Sequence, residues 1–177
     1  MTRTIYYVAS SIDGFITDSS GSLDWLMQFG FEEFQEAYDA FLSGVGALVM
    51  GSGTYEWLQR EGEPWGYGSL PTWVLTSRDL APTDGADIRF EQGVVADVHS
   101  RAVAAARGRD VWVIGGGHVA AQFADARLLD ELQLTVMPVL LGSGTPLLPV
   151  AAASDRLTLT RSKVYPSGAI ELVYSLR

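Results

Sequence analysis

Cysteine is absent from this sequence. That absence removes a disulfide framework, a thiol nucleophile and any zinc site built on thiolates. Histidine is scarce as well: His99 and His118 are the two in the chain, so a histidine-rich metal centre is not expected and no metal site is assigned. Positive charge is in short supply, with 12 basic residues against 21 acidic ones and a net charge of −9. Nothing offsets phosphate repulsion over a broad surface, which argues against nucleic acid as a partner. No apolar run approaches the ~18 residues of a membrane span. The most apolar stretch, Leu132 to Leu141, is broken by Gln133, Thr135 and Pro138. Ile5 to Ala9 is too short for an export-signal core and is soon followed by Asp13. A cytoplasmic protein with no membrane partner is therefore expected, and with no repeat or linker in view a single domain over 1–177.

What the chain does have is glycine, 19 residues of it, in an otherwise ordinary composition that is 47% hydrophobic. No collagen-like or low-complexity pattern explains the excess. Apolar and β-branched runs predict strands at 4–10, 47–50, 72–76, 88–91, 110–114, 131–141, 156–164 and 169–176. The last two are joined through Pro166-Ser167-Gly168 as a hairpin. Aromatics at Phe31, Phe34, Tyr38 and Phe41 predict an amphipathic helix over 31–42, stopped by Gly44 and Gly46. Further helices are expected at 55–59, 97–107 (stopped by Gly108) and 118–126, and residues 60–71 should form a surface loop. His99 reads as a surface residue. Strands alternating with helices and closing on consecutive strands predict an α/β fold: a mostly parallel sheet with flanking helices and an antiparallel C-terminal hairpin.

Two of these strands end in glycine and pass straight into a helix, at Met50-Gly51-Ser52-Gly53-Thr54 and at Ile114-Gly115-Gly116-Gly117-His118. Glycine lets the backbone turn sharply and lets a ligand approach without a Cβ in the way. The first amides of the following helix are unpaired and point outwards, and the helix dipole adds partial positive charge. Phosphate suits such a place, and two such junctions suggest a dinucleotide held at the carboxyl ends of the strands. A Rossmann GxGxxG and a P-loop are both missing, so the site belongs to another fold. A third strand end, Thr76-Ser77-Arg78, adds two hydroxyls and a guanidinium suited to the 2′-phosphate of NADP.

In this order the pieces resemble the dihydrofolate reductase superfamily. More closely, they resemble stand-alone relatives of the reductase domain of the bifunctional riboflavin-biosynthesis deaminase–reductase. The resemblance is carried by Ser11-Ile12-Asp13-Gly14-Phe15-Ile16, Leu23-Asp24-Trp25-Leu26, Met50-Gly51-Ser52-Gly53-Thr54-Tyr55-Glu56, Val74-Leu75-Thr76-Ser77-Arg78 and Val113 to Gly117. Two later segments, Leu129-Asp130-Glu131-Leu132 and Pro138 to Leu148, complete it.

The resemblance implies an NADPH-dependent oxidoreductase passing a hydride to a C=N or C=O carbon of a small pterin- or pyrimidine-like substrate. It implies a nicotinamide near Ala9 and Ile16, and an adenosine phosphate near Ser52, Thr54, Ser77 and Arg78. The diphosphate would lie on the amides of Gly116 to Val119, with the His118 ring nearby. A homodimer is also implied. Asp13, in the loop expected to cover the nicotinamide, is the candidate acid. Thr135 is the candidate for orienting substrate, and Trp25, Phe34 and Tyr38 are the candidate stacking faces.

The departures from the family pattern also matter. Ser52 stands where the motif usually has arginine, Glu32 and Glu33 lack the spacing of the pterin-protonating acid, and Ala120 replaces a tyrosine. Glu61-Gly62-Glu63-Pro64-Trp65 occupies the place of a "DNPxL"-like segment. Two other readings stay open at this stage: a dinucleotide-binding sensor without catalysis, and the reductase step on a ribosylaminopyrimidine phosphate in riboflavin biosynthesis.

Overall fold

Each predicted strand is present in the computed structural model of the chain, which describes residues 2–60 and 64–177. The Glu61-Gly62-Glu63 part of the substituted segment lies outside the described residues. The strands are β1 (Thr4–Ser11), β2 (Val45–Gly51), β3 (Thr72–Leu75), β4 (Ile88–Glu91), β5 (Asp110–Val113), β6 (Glu131–Met137), β7 (Thr158–Val164) and β8 (Ile170–Ser175). They form one sheet in the order β4-β3-β2-β5-β1-β6-β8-β7. The first six are parallel and the β8–β7 hairpin closes the edge antiparallel. Among the described residues, no helix is long and apolar enough to cross a membrane.

The period of two along each strand sorts its side chains onto two faces. Tyr6, Val49, Val111 and Val113 pack on one face beneath α4 (Val95–Ala106) and α5 (Gly117–Asp125). Leu48, Met50, Val74 and Trp112 pack on the other beneath α2 (Gln35–Ser43) and α3 (Ser52–Arg60). A third cluster, around Trp25, Met137, Tyr165 and Ala169, lies beside α1 (Asp24–Met27).

Several boundaries differ from the sequence expectation. The helix predicted over 31–42 begins at Gln35 and buries no residue completely, leaving Phe31 exposed. Gly46 is not a helix stop. It lies inside β2 at a register shift between Val45 and Ala47, where a Cβ would strike the backbone of Ala106. β6 stops at Met137 because Pro138 cannot donate to a ladder. The chain from 138 onwards instead runs beside residues 12–16, joined by Ile12 N–H to the Val139 carbonyl and Ile16 N–H to the Thr145 carbonyl, both 2.9 Å. Nor is 60–71 only a surface loop, since Trp65, Tyr67 and Leu70 pack on the second core cluster.

His99 is half-buried rather than on the surface. Its Nε2 lies 2.8 Å from Thr4 Oγ1 and its ring meets Phe123 edge-on. Burial holds the imidazole pKa below its ordinary value, against the pull of Asp130, with Arg177 adding to the lowering. The folded state therefore prefers the neutral ring. The resulting stability is complete above the unfolded pKa of about 6.5 and is lost as pH falls through the lower folded value. Thermal unfolding between about pH 7 and pH 5 should show a midpoint that falls more steeply for the parent than for His99→Gln. Equal slopes would remove His99 as the cause.

Candidate active site

β5 delivers the chain into the glycine turn that opens α5. Gly115 has φ +76°, and a Cβ there would run into the Thr54 side chain, so conformation and space both require glycine. Gly116 is the N-cap of α5, and no side chain caps the helix. Of the four amides expected to face a diphosphate, two are already used. Gly116 N–H donates to Thr54 Oγ1 at 3.1 Å, and Val119 N–H donates to the Gly116 carbonyl at 3.1 Å. The amides of Gly117 and His118, in the first turn, are left for an anion at the positive end of the helix. The third glycine serves packing: a Cβ on Gly117 would overlap the carbonyl oxygens of Pro146 and Leu147. The Tyr6 hydroxyl holds turn and loop together, 2.9 Å from the Gly115 carbonyl and 3.1 Å from that of Leu147.

From this turn a groove crosses the carboxyl ends of β5 and β1. Its glycine half has a volume of about 460 Å³ and is lined by Ile16, Gly53, Thr54, Ile114, Gly115 and Gly116, with Arg60 the one charged residue of the lining among the described residues. Ala9, Tyr7 and Trp57 belong to both halves. The second half, about 440 Å³, is an aromatic chamber walled by Phe31, Phe34, Tyr38 and Trp112 together with Tyr7, Trp57 and Tyr67, which both halves share. Gln35, Thr135 and the tyrosine hydroxyls are its polar groups, and no ionised side chain lines it among the described residues. Burial pushes the Tyr7 and Tyr67 phenols well above their ordinary pKa, and Tyr38 is raised by the same cause. At neutral pH all three are uncharged hydrogen-bond donors.

The groove thus brings together Ala9, Ile16, Thr54, Ile114, Gly115 and Gly116 with Phe34, Tyr38 and Thr135. Other candidates lie outside its lining. Trp25 is buried in the third core cluster beside Met137 and Tyr165. Gly51 packs against Val119, and the His118 side chain is exposed. Gly51 pairs with Leu75 across β2 and β3, which sets Ser52 and Thr76 side by side beyond the glycine half. Next to them the Arg78 guanidinium is held by Glu56 in two bonds of 2.9 and 2.7 Å, and Arg78 N–H donates to Thr76 Oγ1 at 2.9 Å. Ser77 follows on the same stretch.

Asp13 turns out to be a clasp rather than an acid poised over the groove. Its carboxylate accepts from Ser11 Oγ at 2.6 Å and from the amides of Leu141 and Gly142 at 3.1 and 2.7 Å. Those bonds, the Ser11 hydroxyl first, hold its pKa below the usual carboxylate range. A fully exposed, ionised group tied to the opposite loop has no proton to give at neutral pH. Glu32 accepts from Phe31 N–H and Glu33 from Ser167 N–H; neither lines the groove.

Several lining residues escaped the sequence reading, among them the aromatics Tyr7, Trp57, Tyr67 and Trp112. Part of the signal was available. Tyr7 is two residues from Ala9 and so shares its face of β1, and Trp112 pairs with Ile5 on that face.

A family model, the RibD C-terminal domain, matches residues 58–170. Uncharacterized protein YwjB of Bacillus subtilis (strain 168) is 29% identical over 97% of this chain and 97% of its own. A crystal structure from Shewanella sp. PV-4, named "putative riboflavin biosynthesis protein", superposes with a TM-score of 0.86 at 27% identity and covers 98% of both chains. The Thermotoga maritima diaminohydroxyphosphoribosylaminopyrimidine deaminase/5-amino-6-(5-phosphoribosylamino)uracil reductase aligns with a TM-score of 0.71 at 14% identity, over 98% of this chain and 56% of that one. Dihydrofolate reductase from Enterococcus faecalis, complexed with NADP(H), shares the fold with a TM-score of 0.61 at 18% identity, covering 98% and 95%.

Proposed function

Because this chain belongs to the RibD C-terminal domain family, we propose that it is an NADPH-dependent reductase whose acceptor is a small planar heterocycle held in the aromatic chamber. The observation that carries this reading is the continuity of the groove. An amide-bearing glycine turn suited to a diphosphate opens, across Ala9, into a chamber suited to a flat ring. The Enterococcus faecalis protein of the same fold is complexed with NADP(H).

NADPH, when bound, supplies the hydride. The free amides of Gly117 and His118 and the dipole of α5 oppose the diphosphate charge. Gly116 leaves that approach open, since the nearest atom to a Cβ there would be Thr54 Oγ1 at 3.9 Å. Tyr7, Tyr38, Trp57 and Trp112 stack on a planar acceptor and keep water from the reacting carbon. Thr135 and the neutral tyrosine hydroxyls donate to the heteroatom on which charge develops, and hold the water that supplies its proton. Asp13 has no part in that transfer.

Titration with NADPH should quench the tryptophan fluorescence saturably, because Trp57 borders both halves of the groove. No response at millimolar cofactor would overturn the reading. Binding without turnover over a panel of pterin, pyrimidine and quinone acceptors would favour a sensor instead.

Arg78 is assigned to the 2′-phosphate, for which it must leave Glu56. That exposed pair is worth little, so the exchange is inexpensive. Arg78→Ala should weaken NADPH by about 1–3 kcal/mol while leaving NADH nearly unchanged, as titration of both cofactors would read. Equal losses would remove Arg78 from that role. The reading includes a homodimer, supported by the exposed edge strand β7 with Leu159 and Val164 uncovered. Sedimentation as a 19.1 kDa species would exclude it.

A further inference from the structure

The aromatic chamber has ample ring surface and, among the described residues, no positively charged side chain in its lining. We propose that its acceptor is an uncharged aromatic heterocycle carrying no phosphate, unlike the phosphoribosyl compound named for the Thermotoga maritima enzyme. The inference deepens the reductase reading and rests on it for the word acceptor; the binding preference itself stands on the chamber alone.

The argument is one of charge placement. A phosphate monoester carries close to two negative charges at neutral pH, and moving it against an apolar wall is costly unless a cation or several amides receive it. The chamber wall offers Gln35, Thr135 and phenol hydroxyls, and among the described residues neither arginine nor lysine. Among the described residues Arg60 is the one basic residue that lines either half, and it belongs to the glycine half. Lys163, the single lysine of the chain, lies over the Tyr165 ring, and Arg161 is paired with Glu171 at 3.0 Å. The residues outside the description are Met1, Glu61, Gly62 and Glu63, which add no basic side chain. With a net charge of −9, the molecule gives no long-range attraction to an anion either.

The opposite chemistry is well served. Tyr7, Tyr38, Trp57, Tyr67 and Trp112 present ring faces and edges around one space. The Tyr7 ring lies 6.4 Å from Tyr38 and 6.1 Å from Trp112, and Tyr67 meets Trp112 edge-on at 5.8 Å. A flat uncharged ring loses no charge hydration on entering, and it finds hydroxyl and amide partners for its heteroatoms in Thr135 and Gln35.

Equilibrium dialysis of the purified protein, without cofactor, tests this with three probes. They are lumichrome as a bare uncharged fused ring, 5-amino-6-(5-phosphoribosylamino)uracil, and the same compound without its phosphate. Lumichrome should bind, and removing the phosphate should tighten the uracil compound by about tenfold or more. Met27→Arg sets a guanidinium on an exposed position of the chamber rim. It should raise the affinity of the phosphorylated compound by about tenfold while leaving lumichrome nearly unchanged. Equal or tighter binding of the phosphorylated form to the parent protein overturns the proposal. So does failure of lumichrome to bind, or a Met27→Arg variant with an unaltered preference. The NADPH titration is a separate readout: probes that bind a protein blind to NADPH would sink the reductase reading and leave the chamber's preference standing.

Discussion

Gly144→Ala is expected to cost the fold about 3–5 kcal/mol, the largest stability loss from the addition of a single methyl group to this chain. Two causes add at that position. Its φ of +151° lies in a region that side-chain-bearing residues rarely enter. A Cβ would also overlap the carbonyl oxygen of Thr17 and come within 3.0 Å of that of Asp18. Neither oxygen is free to yield, because the two loops are laced together. Ile16 N–H donates to the Thr145 carbonyl at 2.9 Å, and the hydroxyls of Thr17 and Thr145 lie 2.8 Å apart. Strain of about 1–3 kcal/mol and overpacking of similar size give the total. Gly142→Ala is the internal comparison: φ is +74° there, yet nothing stands within 4 Å of its Cβ, so strain alone remains. Urea unfolding should place Gly144→Ala well below Gly142→Ala. Equal losses would mean that the close approach to Thr17 does not require glycine. Ile16 and Thr145 both line the glycine half of the groove, so NADPH affinity should fall together with stability.

The strands were legible in the sequence because each satisfies a local rule. β2 is an apolar run buried on both faces, and β1 alternates between two cores. Helices were less legible where tertiary contacts decide their limits. The aromatics at 31, 34, 38 and 41 have helical spacing, but Phe31 lies ahead of the helix, at the rim of the chamber. A four-residue helix such as α1 has too few positions to show a period at all.

The same division runs through the site. Its phosphate end could be read from sequence, because three consecutive glycines after a buried strand violate the usual preference for side chains that pack. The aromatic end could not. Tyr7, Trp57, Tyr67 and Trp112 come from two strands, a helix and a loop, and each alone reads as an ordinary core residue. Trp25 and Trp57 show the difficulty most directly. Trp25 lies within a recognisable family segment, yet it is buried in a core cluster with Tyr165. Trp57, inside a weakly apolar helix, faces the groove. Asp13 misled for a related reason: an acid in a loop near a cofactor suggests chemistry, but its partners, Leu141 and Gly142, are about 130 residues away in sequence. Only the fold reveals that the carboxylate joins two loops.

Gly116→Asp should separate binding from stability at the glycine turn, with affinity for NADPH falling by about 3–4 kcal/mol while the fold is unharmed or slightly stabilised. The backbone accepts the change: φ at Gly116 is −39°, and the closest atom to a new Cβ is Thr54 Oγ1 at 3.9 Å. As the N-cap of α5, an aspartate there can receive the first-turn amides that no side chain now caps, a gain of about 0.5–1 kcal/mol. Such a side chain reaches the N2 or N3 amide, and the N2 amide, that of His118, is one of the two assigned to the diphosphate, so the new carboxylate competes for that donor. It also repels the ligand, since two like charges about 4 Å apart at an effective dielectric near 20 oppose each other by about 4 kcal/mol. Gly116→Ala is the matched control, with the methyl group and without the charge, and it should bind NADPH much more nearly as the parent does. Fluorescence titration and thermal unfolding of the three proteins decide the matter. Unchanged NADPH affinity in Gly116→Asp would mean that the diphosphate does not lie at the start of α5. An equal loss in Gly116→Ala would mean that space, not charge, governs the turn.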